Sequence, residues 1–275
     1  MKQAKTGSIE TNGTKLYYEE MGEGHPLVLI HGGYMDRRMW DDQFEVFAEH
    51  YRVIRYDVRG FGKSELPQVP YADRHDLYAL LEALGVEKTY LLGLSLGGGI
   101  ALDFTLEYPE MVDALVLVGT SISGAPIMEL VTQERIIEYM KWQQVFEQAA
   151  KARDIPAMVD ALMSHKTLVP SEEYPEARQR VRQNLSEYSF VWVLDPAEKQ
   201  ELDPPAWGRL KEIRVPTLII VGGDDDELLH QMADKLEQDV AGAKRVTIPG
   251  THHMPNMEKP EEFNQIVLEF LGTLQ

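Results

Sequence analysis

Short apolar runs recur along the chain, and most of them do not alternate with polar residues. Six such runs are Leu27–Ile30, Arg52–Tyr56, Tyr90–Gly93, Ala114–Val118, Thr217–Val221 and Arg245–Ile248. Continuous apolar runs of this length are typical of strands that helices cover on both faces of a parallel sheet. Amphipathic stretches separate several of them, such as Asp73–Leu84, which is followed by the helix-ending residue Gly85. The alternation predicts an α/β fold.

The N-terminal region has a different pattern, in which two strand-like segments flank a tight turn. Ser8–Thr11 and Lys15–Glu19 lie on either side of Asn12-Gly13, a dipeptide that suits the positive φ angles of a type I′ turn. We therefore expect a hairpin at the N-terminal edge, which makes the sheet antiparallel there and mostly parallel elsewhere. Together with the apolar runs, this predicts a sheet of about eight strands flanked by helices.

The strand pattern stops between Thr120 and about Ala206. This stretch contains helix-like segments, such as Met128–Lys151 and Glu176–Tyr188, and several prolines. We interpret it as a helical insertion that leaves the sheet after the sixth strand and returns before the next. The predicted domains are a first part of the core at 1–120, a helical cap at 121–205 and a second part of the core at 206–275.

Three tryptophans lie in or at the edge of the insertion, namely Trp142, Trp192 and Trp207. They can pack the insertion onto the core, or one or two of them can line a pocket between the insertion and the sheet. The sequence leaves both interpretations open.

Composition and charge exclude several classes of function. The 275 residues include no cysteine, which excludes disulfides, thiolate nucleophiles and cysteine metal sites. The chain has 27 Lys and Arg residues and 45 Asp and Glu residues, which gives a formal charge of −18. Such a surface repels nucleic acid and anionic membranes. No apolar run approaches the roughly 20 residues of a membrane span. Because the polar segment Met1–Ile9 does not resemble a secretory signal, we expect a cytoplasmic protein, a monomer or a small homo-oligomer.

Candidate chemistry centres on Gly93-Leu94-Ser95-Leu96-Gly97. The motif directly follows a strand-like run and opens the helix-like run Ile100–Leu106, which is the strand–turn–helix setting that a nucleophile elbow requires. Glycines are needed because the turn is strained and side chains at their positions would collide with neighbouring backbone. The turn also places the Ser95 hydroxyl at a helix N-terminus, where negative charge is stabilised. We therefore predict that Ser95 is a nucleophile.

A serine nucleophile needs a histidine base and an acid that orients it. Only His252 and His253 fall in the loop after the last predicted strand, on the side of the sheet to which the elbow points. The acid is expected in the run Asp224-Asp225-Asp226-Glu227, which follows another strand. This run lacks the alternating ligand spacing of a calcium loop, so we expect no metal. The resulting order Ser, Asp, His is that of the α/β-hydrolase elbow type.

An oxyanion hole completes such a site. One donor is expected to be the N–H of Leu96, next after the nucleophile. The second is expected to be Gly33 in His31-Gly32-Gly33-Tyr34, where small residues let the backbone approach a substrate, while His31 is expected to be structural. Candidate substrate-binding residues are Tyr34, Trp192 and Met254.

Taken together, these segments resemble the α/β-hydrolase family over nearly the whole predicted sheet. The matching segments are His31–Gly33, Asp57–Ser64, Gly93–Gly98, Val215–Asp225 and Gly250–His253. The resemblance implies that Asp225 is the acid and that His253 is the base. His252 departs from the family, which usually has glycine there. It further implies that Asp57–Ser64 is a structural loop and that the insertion is a cap that sets substrate choice.

The resemblance also narrows the reaction. Dehalogenase-like and epoxide hydrolase-like members carry Asp where this chain has Ser95, whereas enol-lactonase-like members and carboxylesterases resemble it in Asp36–Trp40 and Tyr51–Asp57. Family members that cleave C–C bonds usually carry a Ser-Gly-Pro-Gly type loop after His-Gly, and this chain does not. The hypothesis is a cofactor-independent serine hydrolase of small-molecule esters or lactones. The alternatives are C–C or amide hydrolysis at the same triad and a non-catalytic ligand receptor.

Overall fold

The computed structural model describes residues 4–65, 69–165 and 167–274. Its centre is one eight-stranded sheet with the strand order β1-β2-β4-β3-β5-β6-β7-β8. The strands are β1 (Lys5–Thr11), β2 (Thr14–Met21), β3 (Pro26–Ile30), β4 (Arg52–Tyr56), β5 (Thr89–Leu94), β6 (Val112–Val118), β7 (Thr217–Gly222) and β8 (Lys244–Ile248). The predicted eight-stranded α/β fold is thus confirmed.

The N-terminal hairpin gives the sheet its antiparallel pairs. β2 pairs antiparallel with both β1 and β4, while every other neighbouring pair is parallel. Asn12 and Gly13 have φ angles of 45° and 73°, as the type I′ turn requires. The central strands are buried on both faces, which explains why their sequences do not alternate.

Helices follow the strands along the chain and cover the sheet. Those outside the insertion are α1 (Asp41–Ala48), α2 (Asp73–Ala83), α3 (Leu96–Glu107), α9 (Glu227–Asp239), α10 (Pro255–Glu258) and α11 (Pro260–Gly272). Within the described ranges, no helix combines the length and the apolarity needed to cross a membrane.

The connection between β6 and β7 is helical, as predicted. It contains α4 (Ile127–Leu130), α5 (Gln133–Lys151), α6 (Ile155–Met163), α7 (Pro175–Glu187) and α8 (Val191–Leu194). The domain limits at 121 and 205 stay a prediction.

The prediction of one helix-like segment over Met128–Lys151 is wrong in one respect. The structure has two helices there, α4 and α5, separated by Val131 and Thr132. Val131 and Thr132 are extended, and the Thr132 hydroxyl accepts a hydrogen bond from the N–H of Arg135 at the start of α5. Threonine favours such a cap over a helix interior, so the chain breaks at this point.

Candidate active site

Ser95 lies in the sharp turn between β5 and α3. Its φ and ψ angles are 54° and −109°, a strained conformation for a residue with a side chain. A Cβ atom on Gly93 would lie 2.2 Å from the carbonyl oxygen of Gly97, and one on Gly97 would lie 2.1 Å from that of Ile30. Only glycine fits at these two positions, so the motif gives the turn its shape and presents Ser95 at the start of α3.

His253 and Asp225 form a buried pair beside this turn. His253 Nδ1 lies 3.1 Å from Asp225 Oδ2, and the exposed fractions of the two side chains are 5% and 0%. Because the carboxylate accepts, Nδ1 carries the proton and Nε2 is left as a base. Burial lowers the pKa of His253, but the adjacent Asp225 charge outweighs it, and the net pKa is raised above its usual value.

The neighbouring candidates lie beside other charged groups. The backbone N–H of His252 donates to Glu258 Oε2 at 2.7 Å, and His252 Nδ1 lies 3.9 Å from Glu258 Oε1. Asp226 caps α9 by accepting from the N–H of Leu228 and forms an ion pair with Arg135. The geometry therefore brings together the Asp225 and His253 that the resemblance implied.

Ser95 and His253 border the same two cavities. No direct hydrogen bond joins them in the part of the chain that the structure describes. Such bonds in hydrolases often tighten only when substrate is bound.

The backbone near Ser95 has two N–H groups that could hold an oxyanion. Neither the Gly33 N–H nor the Leu96 N–H donates a hydrogen bond to another described residue. A Cβ atom on Gly33 would lie 4.0 Å from Leu96 Cβ, so the two residues approach each other across the site. Free N–H groups beside a nucleophile can stabilise a tetrahedral oxyanion.

The first cavity lies between the sheet and the cap and has a volume of about 270 Å³. Ser95, Leu96 and His253 border it, and so do the three predicted substrate-binding residues, Tyr34, Trp192 and Met254. Tyr34 is packed among aromatic rings, including Tyr188 and Trp192, and burial raises its pKa to about 12. The structure thus collects all of the predicted site residues except Asp225 around one cavity, and Asp225 lies directly behind His253.

The second cavity has a volume of about 460 Å³ and is also bordered by Ser95 and His253. It lies between α4, α5 and the start of α9, and Trp142 is part of its wall. Two of the three tryptophans considered above therefore line cavities, Trp192 the first and Trp142 the second.

Comparison with known proteins identifies the family. The family model described as the alpha/beta hydrolase fold matches residues 25–260. The chain belongs to the α/β-hydrolase family. Among curated relatives, this hydrolase is 27% identical to the 2-hydroxy-6-oxo-6-phenylhexa-2,4-dienoate hydrolase of Comamonas testosteroni, over 98% of this chain and 96% of the relative.

Solved structures resemble the hydrolase over their full length. The enol-lactonase of Burkholderia xenovorans LB400 is 25% identical with a TM-score of 0.76, covering 97% of this chain and 100% of that one. The esterase RhEst1 from Rhodococcus sp. ECU1013 shares the fold with a TM-score of 0.82 at 24% identity, covering 99% of each chain.

Two motifs of the hydrolase serve its architecture. His31 Nε2 accepts from the N–H of Val58 at 2.9 Å and Nδ1 lies 2.8 Å from the carbonyl oxygen of Gly32, while burial lowers the pKa of this ring. Buried Asp57 accepts from the backbone N–H groups of Arg37 and Lys63, which closes its loop. Both observations agree with the structural roles expected for these segments.

Sequence reasoning missed contacts that depend on the tertiary structure. Gly119, with φ of 46°, lies so close to the pair that a Cβ there would be 2.8 Å from His253 Nδ1 and 3.2 Å from Asp225 Oδ2. The N–H of His253 donates to the carbonyl oxygen of Thr167 in the cap. A glycine directly after a predicted strand was the one available signal for the first contact. Among the described residues, no group of three or more His, Asp or Glu side chains is arranged to hold a metal ion.

Proposed function

We propose that this hydrolase cleaves carboxylic esters or lactones of small molecules through an acyl-enzyme on Ser95. The observation that carries the proposal is the buried Asp225–His253 pair next to a strained serine turn. A serine hydroxyl becomes an effective nucleophile when an oriented histidine can take its proton.

The proposed reaction has two acyl-transfer steps. Ser95 Oγ attacks the ester carbonyl carbon while its proton passes to His253 Nε2, and the oxyanion accepts hydrogen bonds from the Gly33 and Leu96 N–H groups. His253 then gives the proton to the leaving oxygen, and the C–O bond to the alcohol breaks. Water, deprotonated by His253, attacks the acyl-enzyme, and the acid leaves as Ser95 regains its proton.

The charge of the cavities favours a neutral substrate. Among the described residues, no Lys, Arg, Asp or Glu side chain lines the first cavity. Arg135 lines the second, but it is paired with both Asp226 and Glu138. A substrate carboxylate in the first cavity would be desolvated without an unpaired cation, which is costly, and the second cavity offers it no unpaired cation among the described residues.

C–C bond hydrolysis is the second candidate, because the Comamonas testosteroni relative is a dienoate hydrolase. The same triad could serve such a reaction. A dienoate carries a carboxylate, however, and the paired state of Arg135 argues against it as the preferred substrate.

The proposal is tested with p-nitrophenyl butanoate, a fluorophosphonate label and the variant Ser95→Ala. We expect the wild type to release nitrophenol and to be labelled, and Ser95→Ala to lose both, with kcat reduced by about 10⁴-fold or more. Ser8→Ala is the matched control, because Ser8 is exposed on β1. It should keep both properties.

The same preparation is assayed with 2-hydroxy-6-oxo-6-phenylhexa-2,4-dienoate. The ester proposal predicts that kcat/KM is higher for the ester than for the dienoate. The reverse order would favour the C–C hydrolase, and a wild type that neither hydrolyses a substrate nor reacts with the label would favour a receptor.

A further inference from the structure

The side chains that line the two cavities differ in their exposure. Most of the side chains that wall the first are buried, such as Met39, Leu162 and Leu185. The second is bordered by exposed side chains, among them Met128 and Met140, whose exposed fractions are 69% and 61%. Buried side chains therefore wall the first, or closed, cavity, whereas exposed side chains border the second, or open, cavity.

This difference assigns the two parts of an ester, if the proposed function holds. In an acyl-enzyme reaction the alcohol departs first, and water must then reach the acyl group that stays on the serine. The open cavity gives the alcohol an exit and water an entry. Gly33 and Leu96 border only the closed cavity, where the carbonyl oxygen must lie. The acyl group then occupies the closed cavity and the leaving alcohol the open one.

His165 lines the open cavity together with Ser95 and His253. Its Nδ1 accepts hydrogen bonds from the N–H groups of Leu168 and Thr167, at 3.2 Å and 3.4 Å. Because Nδ1 is an acceptor, the neutral ring carries its proton on Nε2. Trp142 packs against the ring at right angles, with centroids 4.9 Å apart, and limits its rotation.

The environment also keeps His165 neutral. The ring is half-buried, and desolvation lowers its pKa. The charges of Asp226 and Glu138 oppose this effect, whereas Arg135 and His253 strengthen it, and the net pKa is lowered. At neutral pH the Nε2–H is therefore a fixed donor with no hydrogen-bond partner among the described residues.

Other polar side chains of this cavity already have partners. Ser164 Oγ donates to the carbonyl oxygen of Ala161, Gln143 donates to Glu147, and Arg135 is paired as described above. Tyr139 lies at the mouth of the cavity and is 52% exposed, so water competes with a substrate for its hydroxyl. His165 thus differs from these side chains in that its ring N–H makes no hydrogen bond to a described residue and is available to a substrate in the cavity.

We infer that His165 is a specificity-determining residue, whose Nε2–H donates a hydrogen bond to an acceptor oxygen in the leaving alcohol. The preferred substrates would then be esters whose alcohol part carries an ether or carbonyl oxygen, with an apolar acyl part. This inference rests on the proposed ester hydrolysis and adds a substrate class to it.

The test compares esters that differ by one ether oxygen in the alcohol. The first pair is 2-methoxyethyl butanoate and butyl butanoate, and the second is 4-methoxybutyl butanoate and hexyl butanoate. Each kcat/KM is divided by the rate constant of alkaline hydrolysis of the same ester, which corrects for intrinsic reactivity. In the wild type, at least one ether should match or exceed its alkyl partner. An apolar cavity without a donor would disfavour the ether oxygen, because that oxygen loses its hydrogen bonds to water.

Two variants separate the donor from the loop contacts. His165→Asn keeps an acceptor near the Nδ1 position for the Leu168 N–H but removes the distal donor, whereas His165→Gln keeps a donor near the Nε2 position. We expect His165→Asn to lower the ether-to-alkyl ratio by about 3- to 10-fold, the effect of one neutral hydrogen bond. The kcat/KM of His165→Asn for the alkyl esters should stay within about twofold of the wild-type value. His165→Gln should restore the ether-to-alkyl ratio toward that of the wild type.

An unchanged ratio in His165→Asn would overturn the inference and leave the ester proposal intact. An ether-to-alkyl ratio of about 0.1 or less for both pairs in the wild type would also overturn it. That measurement does not depend on the folding of any variant. Methyl 3-methoxypropanoate and methyl pentanoate are the control pair, because their ether oxygen lies in the acyl part. A fall in the ratio of this pair in His165→Asn would mean that His165 contacts the acyl part instead of the alcohol. If the wild type hydrolyses no ester, the proposed function and this inference both fail.

Discussion

At the scale of single residues, the candidate site depends on a few atoms whose state the surroundings set. The His253 ring is nearly fully buried, and its proton is held on Nδ1 by the Asp225 carboxylate. Ser95 is held in a strained conformation by neighbours that tolerate no side chain at positions 93 and 97. The residue types were readable in the sequence, but their electrostatic state results from burial together with the adjacent Asp225 charge.

The pH dependence of the reaction should report on His253. The base must be neutral, and its pKa is raised because the Asp225 charge outweighs burial. We therefore expect kcat/KM to rise with pH, with an apparent pKa above the ordinary value of about 6.5. Asp225→Asn removes the charge, so kcat should fall by about 10⁴-fold and the residual activity should titrate at lower pH.

The measurement is kcat/KM for p-nitrophenyl butanoate between about pH 5 and pH 9. Asp224→Asn is the control, since Asp224 is adjacent in sequence but exposed. It should resemble the wild type. If Asp225→Asn left the apparent pKa unchanged, another group would control the profile.

At the scale of elements, the site is a property of strand ends. Gly33 follows β3, Ser95 follows β5 and His253 follows β8, with Asp225 close after β7. The carboxyl ends of parallel strands meet at one edge of a sheet, so residues far apart in sequence converge there. The end of β6 contributes Gly119, which contacts the His253 ring.

Gly119→Ala should damage this convergence. A methyl group at 119 would overlap His253 Nδ1 and push the ring from Asp225, and we expect kcat/KM to fall by about 100-fold. The positive φ of 46° adds about 1 kcal/mol of lost stability.

Gly85→Ala is the control that separates backbone strain from displacement of the His253 ring. Gly85 has φ of 65°, and a Cβ there meets no atom within 4 Å. In urea unfolding Gly85→Ala should lose the stability that strain alone costs and Gly119→Ala at least as much, while only Gly119→Ala loses activity. Equal activity in the two variants would mean that the turn after β6 does not position the histidine.

At the scale of the whole molecule, the formal charge of −18 surrounds cavities with no unpaired cation among the described lining residues. The field of such a protein repels anions before they reach the site. Substrate choice is therefore influenced both by the cavity walls and by the surface as a whole.

An anionic ester should be disfavoured in a salt-dependent manner. We expect kcat/KM to be several-fold lower for the p-nitrophenyl monoester of adipic acid than for p-nitrophenyl hexanoate at about 0.01 M salt. The gap should narrow at about 0.1 M, because the screening length falls from about 30 Å to about 10 Å. The neutral ester serves as the control and should change little. A gap independent of salt would place the discrimination in the cavities alone.

The sequence by itself determined the eight strands and the helical connection after the sixth. Buried parallel strands require continuous apolar runs, and these are local signals. It also indicated Ser95, because the glycine spacing of its turn is local. The break at Val131 and Thr132 was missed because a single capping hydroxyl competes weakly with a helical pattern.

Only the tertiary structure decided which groups touch. From the residues alone, four acidic positions and two histidines remained open, and only the fold brings Asp225 to 3.1 Å from His253. The contact of Gly119 with that ring and the position of His165 beside the second cavity likewise depend on elements distant in sequence. Contacts of this kind follow from how strand ends and cap pack together, and no local pattern encodes that packing.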